Sequence, residues 1–134
     1  MLKITYTDTG LLLERVALTV EAMVAQRTLL ALRLGQSIAV QSTYASLPFP
    51  ADLIGMPRLL RLVEKTGAIE ISGCDVNWLE ITLPGVWIAE SSSSDEGIFV
   101  TELEPPLEKH LLTVWQQAQR RHRVEISQGV PKIF

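Results

Sequence analysis

The fold is decided by residues 77–90, which read NWLEITLPGVWIAE. Apolar and polar residues alternate on both sides of Pro84-Gly85, and this period of two is typical of half-buried β-strands. A two-residue connection between such strands is typical of a β-hairpin. The stretch therefore predicts two antiparallel strands, 77–83 and 86–90, joined by a turn at Pro84-Gly85.

This hairpin predicts which side chains share a face of the sheet. Because residue 83 would lie opposite residue 86, the aliphatic side chains of both strands point one way and both tryptophans point the other way. The predicted core face carries Leu79, Ile81, Leu83, Val86 and Ile88. The predicted second face carries Trp78, Glu80, Thr82, Trp87 and Ala89.

The rest of the chain alternates between strand and helix patterns. An opening hairpin is predicted at 2–16, around the turn residues Asp8 and Gly10, and a further meander strand at 98–103. Shorter strands are expected at 38–41 and 68–72, with an extended segment at 47–50, and helices at 19–34, 52–65 and 105–122. The predicted fold class is α+β: an antiparallel sheet of about five to seven strands, formed by the N-terminal hairpin and a 77–103 meander, packed with three helices.

Length and composition predict one globular domain. The chain has 134 residues, of which 47% are hydrophobic and 20% are charged, and a disordered chain would lack that much apolar surface. We assign residues 1–123 to a single domain and 124–134 to a C-terminal tail. The apolar stretch 16–34 contains Arg27 and Arg33, which are costly inside a bilayer, so no membrane association is expected. The chain start lacks a secretory signal pattern and Cys74 is the one cysteine, which favours the cytoplasm.

The chain carries no motif that names a reaction. Cys74 with His110 or His122 would be a nucleophile with a base, but the neighbouring Asp75 disfavours a thiolate and the sequence does not bring a histidine near it. The histidines and carboxylates lack metal-ligand spacing, and the glycines form no phosphate-binding loop. No catalytic residue, metal or cofactor is therefore predicted.

Charge is distributed unevenly along the chain. Nine acidic residues lie between Glu70 and Glu108, and no Lys or Arg occurs between Lys65 and Lys109. Such a surface either steers a basic partner or only keeps the strands soluble. The Arg120–Arg123 cluster suggests RNA binding, but a net charge of −3 disfavours nucleic acid, and cations at a helix C-terminus are explained by the helix dipole.

The candidate partner-binding residues are Trp78, Glu80 and Trp87 on the second hairpin face and Ile133 and Phe134 in the tail. Aromatic residues on a polar sheet face are enriched in protein interfaces. Two alternatives stay open: a helix of the same chain covers the tryptophans, and the tail packs back onto its own domain.

These observations predict a non-enzymatic protein-binding or assembly factor, working as a homodimer with a protein partner. The first alternative is a small-molecule carrier or small enzyme with a pocket between the sheet and the helices. The second alternative is RNA binding through Arg120–Arg123.

Three segments, LALRLGQ at 30–36, GVWIA at 85–89 and GIFVT at 97–101, resemble small uncharacterised cyanobacterial proteins. The resemblance extends over most of the chain. It implies a bacterial cytoplasm and assigns no activity, so it transfers no functional residue.

Overall fold

The computed structural model describes residues 1–8, 10–67, 69–90 and 96–127, with the side chains at 74 and 122–127 outside that description. Strands and helices follow one another as β1 (Leu2–Thr7), β2 (Gly10–Arg15), α1 (Val20–Arg33), β3 (Ala39–Pro50), α2 (Met56–Glu64), β4 (Glu70–Asp75), β5 (Trp78–Ala89), β6 (Gly97–Thr101) and α3 (Pro105–Ser127).

The six strands form one antiparallel sheet in the order β2-β1-β6-β5-β3, and β4 also pairs with β5. The predicted α+β class, with its N-terminal hairpin and three helices, is confirmed. The hairpin register places Leu2 opposite Arg15 and Thr7 opposite Gly10.

The predicted turn at Pro84-Gly85 is wrong. β5 is one continuous strand of twelve residues, and its whole length pairs with β3, from Ala39 opposite Ala89 to Pro50 opposite Trp78. β3 is likewise one strand, although its sequence predicts a short strand at 38–41 followed by a separate extended segment. The predicted 77–103 meander is therefore only the pair β5 and β6.

Proline and glycine fit inside β5 because of what lies beside them. Along one edge, β4 pairs with residues 78–82 of β5 and β6 pairs with residues 86–88, so Pro84 falls in the gap between the two neighbours. The Thr101 hydroxyl donates to the Pro84 carbonyl at 2.7 Å. A strand residue points its N–H and C=O to the same side, so the missing N–H of Pro84 faces this gap and interrupts no ladder.

Gly85 is required by the close approach of β6. A Cβ atom built on Gly85 would lie 2.6 Å from Cζ of Phe99 and would also meet the Val100 carbonyl oxygen. Glycine inside a strand often marks a place where another group approaches the backbone closely. The Pro-Gly pair is therefore a packing feature, and the chain does not reverse there.

The two faces of the sheet are packed by different helices. The inner face, which we define as the face covered by α2 and α3, holds the larger core, including Leu47, Phe49, Ile81, Phe99 and Leu59. On the opposite side, the outer face, α1 covers a smaller cluster. In that cluster Met23 packs with Ile88, Ile98 and Val100.

The α1 helix leaves part of the outer face bare. Strand β3 turns Ala45, Leu47 and Phe49 to the inner core. Side chains alternate along a strand, so Ser42, Tyr44 and Ser46 point outward, and all three are exposed. Tyr44 is 70% exposed. The sheet is therefore closed on the inner face and only partly closed on the outer face.

Candidate functional site

The two tryptophans do not share a face of the sheet. With no turn at Pro84-Gly85, side chains alternate without interruption along β5, which places Trp87 on the same face as Leu79 and Ile81. Its ring contacts the Tyr6 ring edge-on, with centroids 5.3 Å apart. Trp78 lies on the outer face and is 43% exposed. The predicted single surface carrying both indoles is therefore wrong.

Of the other candidate partner-binding residues, only Glu80 lies in the described part of the chain. Glu80 lies on the outer face of β5, half-buried, opposite Pro48 of β3. Ile133 and Phe134 lie outside the described residues. A binding role for Trp78, Glu80 or the tail stays a prediction.

Exposed apolar side chains are concentrated on one side of the molecule. Among the described residues, the large apolar side chains that are exposed lie on the outer side, except Ile54 and Val76. The outer-side set is Leu12, Leu29, Leu30, Leu32, Leu34, Val40, Tyr44 and Trp78. We call this set the outer apolar surface. Concentrated apolar exposure of this kind marks interaction sites on soluble proteins.

Helix α1 and its C-cap residue Leu34 together supply half of the outer apolar surface. Thr19 caps its start by accepting the Ala22 N–H at 3.1 Å, and the Glu102 carboxylate accepts the Val20 N–H at 2.6 Å. Met23 and Ala31 are buried against the sheet. Leu32 is 71% exposed on the opposite side of the helix.

The leucines near the end of α1 follow the apolar spacing of the helix but are not buried. This spacing places Leu30 and Leu34 on the same stripe as Met23 and Ala31, yet they are 50% and 60% exposed. Leu30 borders an open cleft between α1 and the sheet, which leaves its side chain accessible to solvent. The signal that sequence reasoning missed is that Leu29 and Leu32 repeat on the face opposite Met23 and Ala31, which makes α1 apolar on two sides.

A cleft of about 350 Å³ lies between α1 and the outer face of the sheet. Its lining carries both charge signs and apolar side chains, among them Lys3, Arg27, Leu30, Ile88, Glu90 and Glu96. Lys3 also forms an ion pair with Glu14 at 3.5 Å. The cleft lies between the sheet and α1 and is open to solvent.

The acidic stretch does not form one acidic surface. Glu108 is buried and binds Arg15 at 3.1 Å, with the Met1 α-amino group 3.6 Å away. Glu102 accepts an α1 N–H, and Asp75 accepts the N–H of Val76 at 2.7 Å. Part of the acidic charge of this stretch therefore takes part in local structure, and Glu108 is buried.

The remaining candidates are scattered. His110 Nε2 contacts the Gly55 carbonyl at 2.9 Å. Arg121 donates to Asp52 at 2.6 Å, and this hydrogen bond holds the pKa of the Asp52 carboxyl below its ordinary value. Arg120 is exposed, while the side chains of Cys74, His122 and Arg123 lie outside the description.

The described part of the chain offers neither a metal centre nor a membrane-spanning helix. Within it, the His, Cys, Asp and Glu side chains form no group of three that could hold a metal ion. No helix among these residues has the length and apolar character needed to cross a bilayer.

Comparison with known proteins gives a family. The chain belongs to the Alr0857-like family, whose model matches residues 1–119. No curated protein and no solved structure matches it. The family match covers α1, α2 and most of α3. It therefore includes the outer apolar surface and the cleft.

Proposed function

We propose that this member of the Alr0857-like family is a non-enzymatic protein-binding or assembly factor that docks through the outer apolar surface. The supporting observation is the one-sided exposure: Leu32 and Tyr44, both at least 70% exposed, lie on the same side of the sheet. Burying exposed apolar area yields roughly 25 cal/mol per Å². Burying these exposed leucine and tyrosine side chains against a partner would therefore contribute favourable free energy to binding.

The bare part of the outer face adds aromatic side chains to the outer apolar surface. Tyr44 lies opposite Pro84, and Trp78 lies opposite Pro50, on the same face as the helix. Tyrosine and tryptophan are enriched where protein surfaces meet. We propose that Trp78 and Glu80 contact the partner from this face. Trp87 takes no part in the contact, because it faces the inner core.

Association through this surface suits a protein that works in the cytoplasm. The one cysteine of the sequence fits a reducing compartment. We propose that compartment as its place of action, with a protein as its partner.

Photocrosslinking in living cells tests the proposal. A photoreactive amino acid is placed at Leu32 or Tyr44 on the outer side, and at Ile54 or Val76, which are each 91% exposed elsewhere. We expect crosslinked protein species from the two outer positions and not from the two controls. Equal crosslinking from all four positions, or none from Leu32 and Tyr44, would contradict the proposal.

The cleft supports a second candidate function, the binding of a small molecule. Its volume of about 350 Å³ lies at the lower end of the size range of ligand sites. A metabolite that raises the melting temperature of the wild type but not of Leu30→Arg, which blocks the cleft, would support it. Leu34→Arg is the matched control, because Leu34 has similar exposure and is not part of the cleft lining. A screen without any such compound would remove this candidate.

A further inference from the structure

The outward side of α1 carries a regular stripe of small and large apolar residues. Ala22, Ala25, Leu29 and Leu32 follow one another at spacings of three, four and three positions. This is the spacing of the a and d positions of a heptad, which line one side of a helix. The stripe lies opposite the buried residues Met23 and Ala31. We call it the α1 seam.

From this spacing we propose that the α1 seam is a twofold interface in which α1 packs antiparallel against α1 of a second copy of the chain. The proposal rests on the proposed function, because it names the partner of the outer apolar surface. A twofold interface uses the same patch on both copies, so the patch must be complementary to itself.

Side-chain size is complementary only in the antiparallel arrangement. Centring the twofold axis at position 27 places Ala22 opposite Leu32 of the partner copy and Ala25 opposite its Leu29. Each layer then combines one small and one large side chain, which lets two helices approach closely and fills the space between them. A parallel pair would instead place alanine against alanine and leucine against leucine.

Charge at the two ends of the seam favours the same arrangement. Glu21 precedes the seam and Arg33 follows it, and both are exposed. The same axis brings Glu21 of each copy to the level of Arg33 of the other, whereas a parallel pair brings like charges together. Arg27, at the centre, lines the cleft on the sheet side, so the axis does not bring two arginines together.

The interface is small. Two helices of 14 residues bury less area than the roughly 1,600 Å² of a standard interface. We therefore expect a reversible dimer with a dissociation constant of the order of micromolar. Such a dimer is populated only when the local concentration is high.

Analytical ultracentrifugation of the full chain over a concentration series tests the dimer. The wild type is expected to shift from monomer to dimer as concentration rises. Leu32→Glu places a charge in each of the two layers that pair Ala22 with Leu32 and is expected to weaken association by at least about 100-fold. Leu34→Glu is the matched control: it has similar exposure but lies off the seam, and it should dimerise like the wild type.

Cysteine crosslinking tests the direction of the helices. In a Cys74→Ser background, Gln26→Cys lies close to its own copy across the axis and is expected to link efficiently with a short bis-maleimide. Ala22→Cys lies about 15 Å from its own copy in this register, from ten residues at 1.5 Å each, and should not link. Efficient linking of Ala22→Cys but not Gln26→Cys would overturn the antiparallel arrangement.

The outcomes separate this inference from the proposed function. A wild type that stays monomeric at every concentration overturns the second-copy interface. Equal loss of dimer in Leu32→Glu and Leu34→Glu overturns the seam. Photocrosslinks from Leu32 to a different protein would then still support the outer apolar surface as a docking site. If the protein stays monomeric and Leu32 also gives no photocrosslink, the second-copy interface and the proposed function are both contradicted.

Discussion

The inner and outer faces of the sheet are both packed by helices, but the helices differ in what they turn to solvent. On the inner face, α2 buries Met56, Leu59 and Val63 and exposes polar residues such as Arg58. On the outer face, α1 buries Met23 and Ala31 and exposes leucines. The inner face is thus explained by folding alone. The exposed leucines of the outer side are not buried in either core cluster, and this difference is the basis of our proposal that they serve association.

Paired leucine truncations test the comparison with the largest expected effect. Leu59→Ala empties a fully buried position of the inner core and should lower the free energy of unfolding by about 3 kcal/mol. Leu32→Ala, on the exposed side of α1, should change it by less than about 0.5 kcal/mol. Urea denaturation at a concentration where the protein is monomeric measures both. Similar losses would mean that the leucines of α1 serve the fold.

Substitution of Gly85 tests the packing of the inner face against β5. Gly85→Ala forces Phe99 and the β6 backbone away and should cost about 2 kcal/mol of unfolding free energy. Gly73→Ala in β4 is the matched control, because a Cβ there meets no atom within 4 Å. Thermal denaturation compares the two variants. Equal melting temperatures would contradict the close approach of β6 to Gly85.

The N-terminal cap of α1 tests how firmly the outer helix is held. Thr19→Ala removes the acceptor of the Ala22 N–H and should lower the free energy of unfolding by about 1 kcal/mol. Thr28→Ala, in the middle of the same helix, should not destabilise the protein, because alanine has the higher helix propensity. Circular dichroism during urea denaturation gives both values. A cap variant as stable as Thr28→Ala would show that Glu102 alone is enough to anchor the helix start.

The ion pair between Asp52 and Arg121 gives the smallest expected effect, and it depends on pH. The Arg121 hydrogen bond lowers the pKa of Asp52, so the stabilisation is present at neutral pH and is lost as pH falls through that lowered pKa. Asp52→Asn should therefore be slightly less stable than the wild type near neutral pH, and the difference should vanish in acid. The effect stays small because the Asp52 side chain is 77% exposed. A difference that grows in acid would contradict this sign.

Local patterns predicted the elements well where neighbours in sequence decide them. The β1–β2 hairpin follows from alternation around Asp8 and Gly10, and α1 follows from Thr19 and the apolar spacing after it. The Pro-Gly pair was misread because its local preference is for a turn, while its structure depends on β3, β4 and β6. Strand partners distant in sequence cannot be identified from a local pattern.

The sequence predicts a partner-binding surface on one polar face of a hairpin, with Trp78 and Trp87 side by side. The structure separates the two tryptophans, because removing the predicted turn moves every later side chain of β5 to the other face. The outer apolar surface was missed because periodicity shows which helix residues share a side, but not whether other parts of the chain cover that side. Leu30 and Leu34 show this limit most clearly.

Methyl nuclear magnetic resonance of leucine-labelled wild-type protein tests the central claim most directly, by comparing spectra at the lowest and highest concentrations that the method allows. The methyl signals of Leu29 and Leu32 should shift with concentration, while those of the buried residues Leu47 and Leu59 should stay unchanged. Leu29 and Leu32 signals that do not move, or leucine signals that all move together, would contradict the assignment of the outer side to association.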